Sequence, residues 1–415
     1  MRIARTFLCL LLAATASTRA QSIIEQLDNA LTFSAFDGSC RVRLSGLVDL
    51  EAYHLEQPAP ALLDTDRHAL FNPRLSLFLD AQFGSHVYAF AQSRVDRGFD
   101  PSDSGGRMRL DEYAVRVTPW DDGRFNVQAG KFSTVVGNWA PRHDSWENPF
   151  INAPLPYENP TGVWDSMVPE DPYDLLQWSH ANATDKPRDV YADKYLRNPL
   201  IWGPSYATGM SVFGALGKFD YAAEIKNSAL SSRPEAWNIN DVGFSHPTYS
   251  GRLGWRPNEM WKFGISASVG PYLMPSAAST VPPGHGFGDY REILLGQDIR
   301  FAWHHFQLWA EFFEVRFDIP GIAHADTFSY YIEGRYQITP QFFAALRWNQ
   351  QLFGSIRNDD DELQRWGSNA ARIDIALGYR FTEYTQLKLQ YSLLREDPAQ
   401  NRYNNLLAAQ FTLRF

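Results

Sequence analysis

Basic side chains recur in this sequence at the polar positions of segments in which polar and apolar residues alternate. Residues spaced by two share one face of a β-strand, so these side chains are expected on a single polar surface. Unpaired guanidinium groups on a water-filled surface would raise the local anion concentration, whereas arginines paired with neighbouring carboxylates would stiffen that surface. The sequence leaves both interpretations open. The candidate lining residues are Arg41, Arg43, Arg74, Arg94, Arg116, Arg124, Lys131, Arg252, Arg300, Arg335, Arg347 and Arg372.

A second concentration of charge lies in residues 134–205, which show no clean alternation. This segment holds ten acidic and five basic residues, together with many prolines, tryptophans and tyrosines. Segments this long inside a compact domain are usually functional or disordered, and the aromatic content argues against disorder. An acidic segment facing an arginine-rich surface would create a transverse field across a narrowed passage. The acidic candidates are Asp144, Glu147, Glu158, Asp165, Glu170, Asp171 and Asp174.

Evidence for catalysis is weak. His143, Asp144 and Glu147 have the side chains of a metal or acid-base site, but in a polar loop they are better explained as solvated or paired. No serine nucleophile has histidine and amide partners at a defensible spacing. Cys9 lies in the N-terminal apolar stretch, which leaves Cys40 without a disulfide partner. The sequence therefore predicts no enzyme, no metal and no cofactor.

The elements that must position these residues are β-strands. From Arg41 onward, short apolar/polar alternations recur, and the final segment 401–415 alternates up to Phe415. The alternation predicts sixteen strands, joined alternately by short turns and longer loops, which is the pattern of an antiparallel up-and-down transmembrane barrel. A soluble β-sandwich would show the same periodicity with its faces exchanged. The signal peptide, the loop rhythm and the terminal phenylalanine favour the barrel. The strand 306–317 changes phase near Phe313, which suggests a bulge or an aromatic band.

The predicted organisation has three parts. Residues 1–20 read as a signal peptide, with Arg2 and Arg5 before an apolar core and a small-residue cleavage site ending at Ala20. Residues 21–40 form a short periplasmic segment that could be helical, and residues 41–415 form the barrel. Segment 134–205 is then the third outer loop, which could fold into the lumen or lie over the mouth. The formal net charge of −9 excludes a nucleic-acid binder of the basic-patch kind.

A resemblance supports this interpretation. The run Val127-Gln128-Ala129-Gly130-Lys131-Phe132, followed by Val135-Val136-Gly137, resembles a strand-five segment of the phosphate-selective porin family of bacterial outer membranes. Leu110-Asp111-Glu112-Tyr113-Ala114, on the preceding strand, resembles the same family. The resemblance implies an outer-membrane diffusion channel, commonly a homotrimer, whose anion selectivity rests on basic residues. Lysines are few in this chain and its third loop is acidic, so phosphate specificity is not carried over.

The leading hypothesis is therefore an outer-membrane channel for passive diffusion of small hydrophilic or charged solutes. Its expected partners are outer-membrane lipid and small solutes or ions, with no nucleic acid. One alternative is a structural or adhesive barrel plugged by its own loops. A less favoured alternative is an outer-membrane enzyme acting on lipid or envelope polymer.

Overall fold

The computed structural model describes residue 26 and residues 30–97, 106–180, 197–234, 243–397 and 403–415. The predicted signal peptide, residues 1–20, lies outside the described residues, as does most of segment 21–29. Gln26 and Ala30 have helical conformation, and the next residues form a short strand. The boundaries predicted for the signal peptide and the periplasmic segment stay predictions.

The described residues form a barrel of antiparallel strands rich in β-branched and aromatic residues. Seventeen strands belong to one sheet, and sixteen of them, all except β1, close on themselves. The strands of the main sheet are β1 (Thr32–Ala35), β2 (Cys40–Leu55), β3 (Ala69–Phe83), β4 (Val87–Asp96), β5 (Arg107–Val117), β6 (Asn126–Phe132), β7 (Ala207–Leu216), β8 (Phe219–Lys226), β9 (Thr248–Trp255), β10 (Trp261–Pro271), β11 (Arg291–Trp303), β12 (Phe306–Ile319), β13 (Ala323–Gln337), β14 (Phe342–Phe353), β17 (Asn369–Arg380), β18 (Thr385–Asp397) and β19 (Tyr403–Arg414). A separate hairpin consists of β15 (Ser355–Arg357) and β16 (Leu363–Arg365).

Helical segments are short and lie in the connections. They are a 3₁₀ turn at Ala140–Arg142, α1 (Leu155–Glu158), α2 (Pro172–His180), and 3₁₀ turns at Pro275–Ser279 and Phe287–Asp289. Among the residues that the structure describes, no helix combines the length and apolar character required to cross a membrane.

The seam of the barrel joins the first and last long strands. β19 pairs antiparallel with β2, and Phe411 lies opposite Leu50. The terminal residue is part of this pairing, because the Phe415 amide donates to the Gly46 carbonyl at 3.0 Å and the Gly46 amide donates to the Phe415 carbonyl at 2.9 Å. β1 continues along the same edge of β2, with Thr32 opposite Arg43. The closed sixteen-stranded barrel predicted from the alternation is confirmed.

The two faces of the barrel differ as the alternation predicts. On β2, Asp49 and Glu51 are buried toward the lumen, whereas Leu50 is 44% exposed on the outer surface. Outward apolar side chains such as Leu253 and Ile265 are exposed in the same way. An outer surface of this kind suits contact with lipid, and a polar inner face suits water.

Two details of the predicted pattern are wrong, and both concern β12. The outer connection between β12 and β13 has only residues 320–322, so the short–long rhythm is not strict. Pairing of β12 with β11 and β13 also runs through Phe313 without a register shift, so there is no bulge. Phe313 and Val315 are buried inside, while Glu314 and Arg316 are exposed outside. Polarity inverts because the inner face packs here against a loop rather than water.

The register shift that the structure does contain lies between β4 and β5. Gln92 pairs with Glu112 and Ser93 pairs with Leu110, which leaves Asp111 as the extra residue. A bulge re-aims side chains at the point of insertion. Here it places a buried carboxylate, Asp111, beside two arginines of the lumen wall.

Candidate functional site: the lumen and its inserted loop

The connection between β6 and β7, residues 133–206, is called loop 3 below, and its described parts are 133–180 and 197–206. Three contacts place its first half inside the barrel. The Gly137 amide donates to Ser266 Oγ at 3.3 Å, and the Ile151 amide donates to Gln390 Oε1 at 2.6 Å. The Leu155 amide donates to Asn349 Oδ1 at 3.2 Å. Residues 137–159 therefore lie inside the lumen, which is one of the two placements that the sequence left open.

The next part of loop 3 packs at the outer mouth. The Met274 amide donates to the Asp165 carbonyl at 2.7 Å, and the Val168 amide donates to Thr280 Oγ1 at 3.0 Å. Burial raises the pKa of the Asp165 carboxyl to about 6, against the opposing effect of nearby Arg233. An apolar cluster, with Leu175 among its members, joins this part of the loop to neighbouring connections and to the inner wall.

Buried cations of the wall hold the loop by its backbone. Lys388 on β18 donates from Nζ to the carbonyls of Ser145 at 2.8 Å, Asn148 at 2.9 Å and Phe150 at 3.1 Å. Its side chain is 0% exposed. Three carbonyl acceptors satisfy the three donors of a lysine ammonium group. Lys388 is thus an anchor of loop 3. Alternation places it on the inner face, but no sequence signal identifies its partners.

Arg347 and Arg372 are further anchors. Arg347 Nη2 donates to Asn152 Oδ1 at 2.8 Å and to the Ala153 carbonyl at 3.1 Å. Arg372 donates to Glu158 Oε1 at 2.5 Å. Both arginines also pair with Asp374, from which Arg347 Nε lies at 2.8 Å. Because loop 3 covers them, these two predicted lining residues do not face the open lumen.

The start of loop 3 is anchored by a buried carboxylate, whereas the anchors described above are cations. Glu311 on β12 accepts the amides of Asn138 and Trp139, the latter at 3.1 Å, and the hydroxyl of Tyr157 at 2.7 Å. Burial, followed by the Glu311 charge, raises the pKa of the Tyr157 hydroxyl well above its usual range. Sequence reasoning missed Glu311. The alternation of β12 changes phase near Phe313, two residues further on, so the pattern did not identify the inner face at this point of the strand.

Three of the predicted basic residues face the lumen but are ion-paired across strands. Arg74 lies 2.6 Å from Glu51 and 3.1 Å from Asp49. Arg94 Nε lies 3.1 Å from Asp111. Arg252 is also paired, with Asp220 and Asp298, each at 2.8 Å. For these three arginines, the structure shows pairing with neighbouring carboxylates, which is the second of the two interpretations that the sequence left open.

The remaining predicted basic residues divide by position. Arg116 contacts Gln128, and Lys131 donates to the Leu110 carbonyl at 2.8 Å. Arg124 lies in the exposed turn before β6, where Asp122 pairs with it at 3.0 Å, and not on a strand as predicted. The exposed residues Arg41 and Arg43 lie at the start of β2, near the short turns. Arg300 and Arg335 line a wide cavity described below.

The predicted acidic residues of loop 3 are not brought together. Asp144 accepts the Trp146 and Glu147 amides at 2.8 Å, so it closes a local turn. Glu158 pairs with a wall arginine, and Asp165 is buried at the mouth. Glu170, Asp171 and Asp174 surround the start of α2, where the Asp174 amide donates to Asp171 Oδ1 at 2.9 Å. The predicted acidic screen across the lumen is therefore limited to the first three acids.

His143 is held as a neutral ring. Its Nδ1 lies 2.6 Å from the Ala140 carbonyl, which can only accept, so Nδ1 carries the proton. Nε2 then accepts from the Tyr206 hydroxyl, 2.6 Å away. Burial, and next the charge of Arg94, lower the pKa of His143. Across the described part of the chain, no group of three or more His, Cys, Asp or Glu residues is placed to hold a metal ion.

Two unequal cavities adjoin the described part of loop 3. The first, called the slot, is a cavity of about 170 Å³ between loop 3 and the inner face near β2–β5, β18 and β19. The second, called the vestibule, is a cavity of about 770 Å³ on the side of the short turns. The vestibule is lined by five arginines and one lysine but only two acids, and its lining includes Arg142, Glu147, Arg252, Lys262, Asp298, Arg300, His304, His305, Arg335 and Arg380.

Comparisons with known proteins show which solved structures share this architecture. No protein-family profile matches the sequence. No curated protein matches it either. Solved structures do: the outer membrane channel DcaP of Acinetobacter baumannii has a TM-score of 0.58 at 12% identity, covering 92% of this chain and 99% of that chain. Salmonella typhi OmpF, in complex with daunomycin, has a TM-score of 0.56 at 10% identity, covering 92% and 100%. An anion-selective porin from Comamonas acidovorans has a TM-score of 0.52 at 11% identity, covering 91% and 100%.

The chain thus has the closed sixteen-stranded barrel fold of these bacterial outer-membrane porins. The location that this fold indicates is a bacterial outer membrane. The resemblance to the phosphate-selective family stays a prediction.

Proposed function

We propose that this protein is a passive diffusion channel for small hydrophilic and charged solutes. The observation that carries the proposal is the placement of loop 3. It crosses the lumen against β11–β18, to which Glu311, Arg347 and Lys388 fix it, and it leaves the slot beside β2–β5. A loop fixed at one side narrows a barrel of this width without filling its whole cross-section.

Charge in the vestibule supports a mild preference for anions. Arg300, Arg335 and Arg380 have no carboxylate partner among the described residues, and Glu147 is the nearby acid of the loop. The other cations of the vestibule are neutralised by Asp220, Asp298 or Glu333. A water-filled space with surplus positive charge concentrates anions within about a Debye length, roughly 8–10 Å at physiological salt.

Conductance in planar lipid bilayers tests the channel. The full chain, purified from membranes and added at low concentration, is expected to insert with discrete current steps in KCl. A preparation that keeps its folded, heat-modifiable mobility on gels yet gives no steps would overturn the proposal.

The competing function is a plugged structural barrel, and one observation favours it. Much of the wall behind loop 3 is closed to water, since Lys388, Gln390 and Ser392 are at most 2% exposed. Under that hypothesis, deleting residues 140–158 would open a barrel that was previously silent. For a constricted channel the same deletion raises an existing conductance. A homotrimer remains the assembly expected from the resemblance, and crosslinking in the membrane tests it.

A further inference from the structure

One side of the slot is apolar. It is formed by Tyr53, Leu63, Trp139, Ile151, Tyr206 and Leu406. All but Ile151 are at most 8% exposed, so the rings are fixed by packing. The volume of about 170 Å³ is close to the roughly 150 Å³ cavity that accepts one benzene molecule in a protein interior. The slot has room for one six-membered ring.

The polar side of the slot carries donors that the wall does not use. Arg94 is 15% exposed, and its ion pair with Asp111 is made through Nε. Its terminal nitrogens make no hydrogen bond to any described residue. The indole Nε1 of Trp139, on the loop side, is buried and also has no partner there. A guanidinium group with free terminal N–H groups matches the two oxygens of a carboxylate.

The carboxylate of Glu51, which lines the slot, is by contrast already occupied. Both oxygens of Glu51 receive two hydrogen bonds each: Arg74 and Gln410 donate at 2.6 Å to one, and Tyr53 at 2.8 Å and Asn72 at 2.9 Å donate to the other. A carboxylate saturated in this way has little to offer a cationic solute. The slot lining holds four arginines and two acids, so it favours an anion over a cation; these residues are Arg74, Arg94, Arg109, Arg372, Glu51 and Glu158.

We propose that the slot is a binding site for small carboxylates that carry a single ring. The carboxylate lies on the terminal nitrogens of Arg94, and the ring packs between Trp139 on loop 3 and Leu63 on the β2–β3 connection. This inference rests on the proposed channel function and names the class of solute that the constriction selects.

Block of the chloride current in planar bilayers tests the site, with benzoate, acetate and benzylammonium as probes. Benzoate is expected to half-block the full-length channel at about tenfold lower concentration than acetate, because only its ring removes apolar surface from water. Benzylammonium, which has the ring but the opposite charge, is expected not to block in that range. Equal half-blocking concentrations for benzoate and acetate would overturn the site.

Variants separate the two ends of the slot. Arg94→Gln is expected to raise the half-blocking benzoate concentration about tenfold, toward that of acetate. Arg316→Gln is the matched control, because Arg316 lies on the outside of the barrel, 48% exposed and paired with Asp326. If Arg94→Gln fails to fold, Ile151→Asn tests the apolar end and is expected to remove the preference for the ring. Loss of all current steps in the parent protein counts against the channel itself. Normal steps without benzoate discrimination count against the slot alone.

Discussion

Lys388 offers the sharpest test of how loop 3 is held. Its ammonium group is buried and donates to three backbone carbonyls of the loop, those of Ser145, Asn148 and Phe150. Lys388→Met keeps the length and apolar stem of the side chain and removes all three donors. The carbonyls then lose their partners, and water must enter to satisfy them.

The size of the effect follows from the number of bonds. Hydrogen bonds to a charged group contribute about 1.5–3 kcal/mol each, but the variant also escapes the cost of burying an ammonium group. The free energy that holds residues 144–150 against the wall is therefore expected to fall by about 2–4 kcal/mol. That corresponds to an increase of about 30- to 1,000-fold in the equilibrium for local opening of residues 144–150. The remaining anchors, Glu311, Arg347 and Arg372, keep the rest of the loop in place.

Hydrogen–deuterium exchange measured by mass spectrometry checks this directly, on the peptide that contains residues 144–150. Its amides should exchange faster by the factor above, and single-channel current should rise and become noisier. Lys218→Met is the control, since Lys218 makes a single exposed contact with the Pro257 carbonyl in a short turn. Unchanged exchange in the Lys388 variant, with the barrel still folded, would refute the anchoring argument.

Replacing Arg300 and Arg335 together by Gln should lower the chloride-to-potassium permeability ratio about twofold, read from the reversal potential in a KCl gradient and strongest at low salt. The pKa of Asp165 is about 6 in the folded loop and 3.8 in its ordinary state. The stability of the folded mouth is therefore highest below pH 3.8, falls between pH 3.8 and 6, and stays low above pH 6. Asp165→Asn should therefore raise the free energy of local unfolding of the mouth at pH 7 by an amount on the order of 3 kcal/mol, read as slower cleavage by protease. At pH 3.5 it should have no effect. Gly46→Ala should lower the temperature of gel-monitored unfolding, because a Cβ there would lie 2.5 Å from the Phe415 ring, an overpacking that costs about 1–3 kcal/mol.

Each of these predictions has a matched control and a contradicting result. Arg316→Gln, outside the barrel, should leave the reversal potential unchanged, and an equal shift there would remove the assignment to the vestibule. Asp121→Asn, in an exposed turn, should not alter protease resistance at either pH, and pH-independent protection in the Asp165 variant contradicts the burial argument. Gly251→Ala should be neutral, since its Cβ would be 3.5 Å from the Ala222 carbonyl. Equal stability of the two glycine variants would show that the seam tolerates the added methyl group.

Much of the barrel could be predicted from the sequence for one geometric reason. Side chains of a strand alternate between faces, so the apolar and charged faces can be read without knowing any neighbour. The same rule identified the last strand and its terminal Phe415, and it marked loop 3 as the one long interruption. The rule failed at Phe313 because the inner face of β12 is apolar where loop 3 packs on it.

The ion pairs of the wall depend on register. Asp49 lies directly opposite Arg74, and Arg347 lies directly opposite Asp374, although about 25 residues separate each pair along the chain. A shift of one residue between two strands would change every such pair. A single sequence therefore shows that the inner face holds both signs of charge, but not which charges cancel.

The sequence by itself determined the strand order, the inward and outward faces and the closing strand, because each follows from local alternation along the chain. Tertiary structure alone decided which inward residues meet water. Loop 3 lies on one half of the wall, where Arg347, Arg372 and Lys388 become its buried anchors, and Arg94 lines the slot that remains beside it. That outcome depends on contacts between residues up to about 240 positions apart, which no local pattern records.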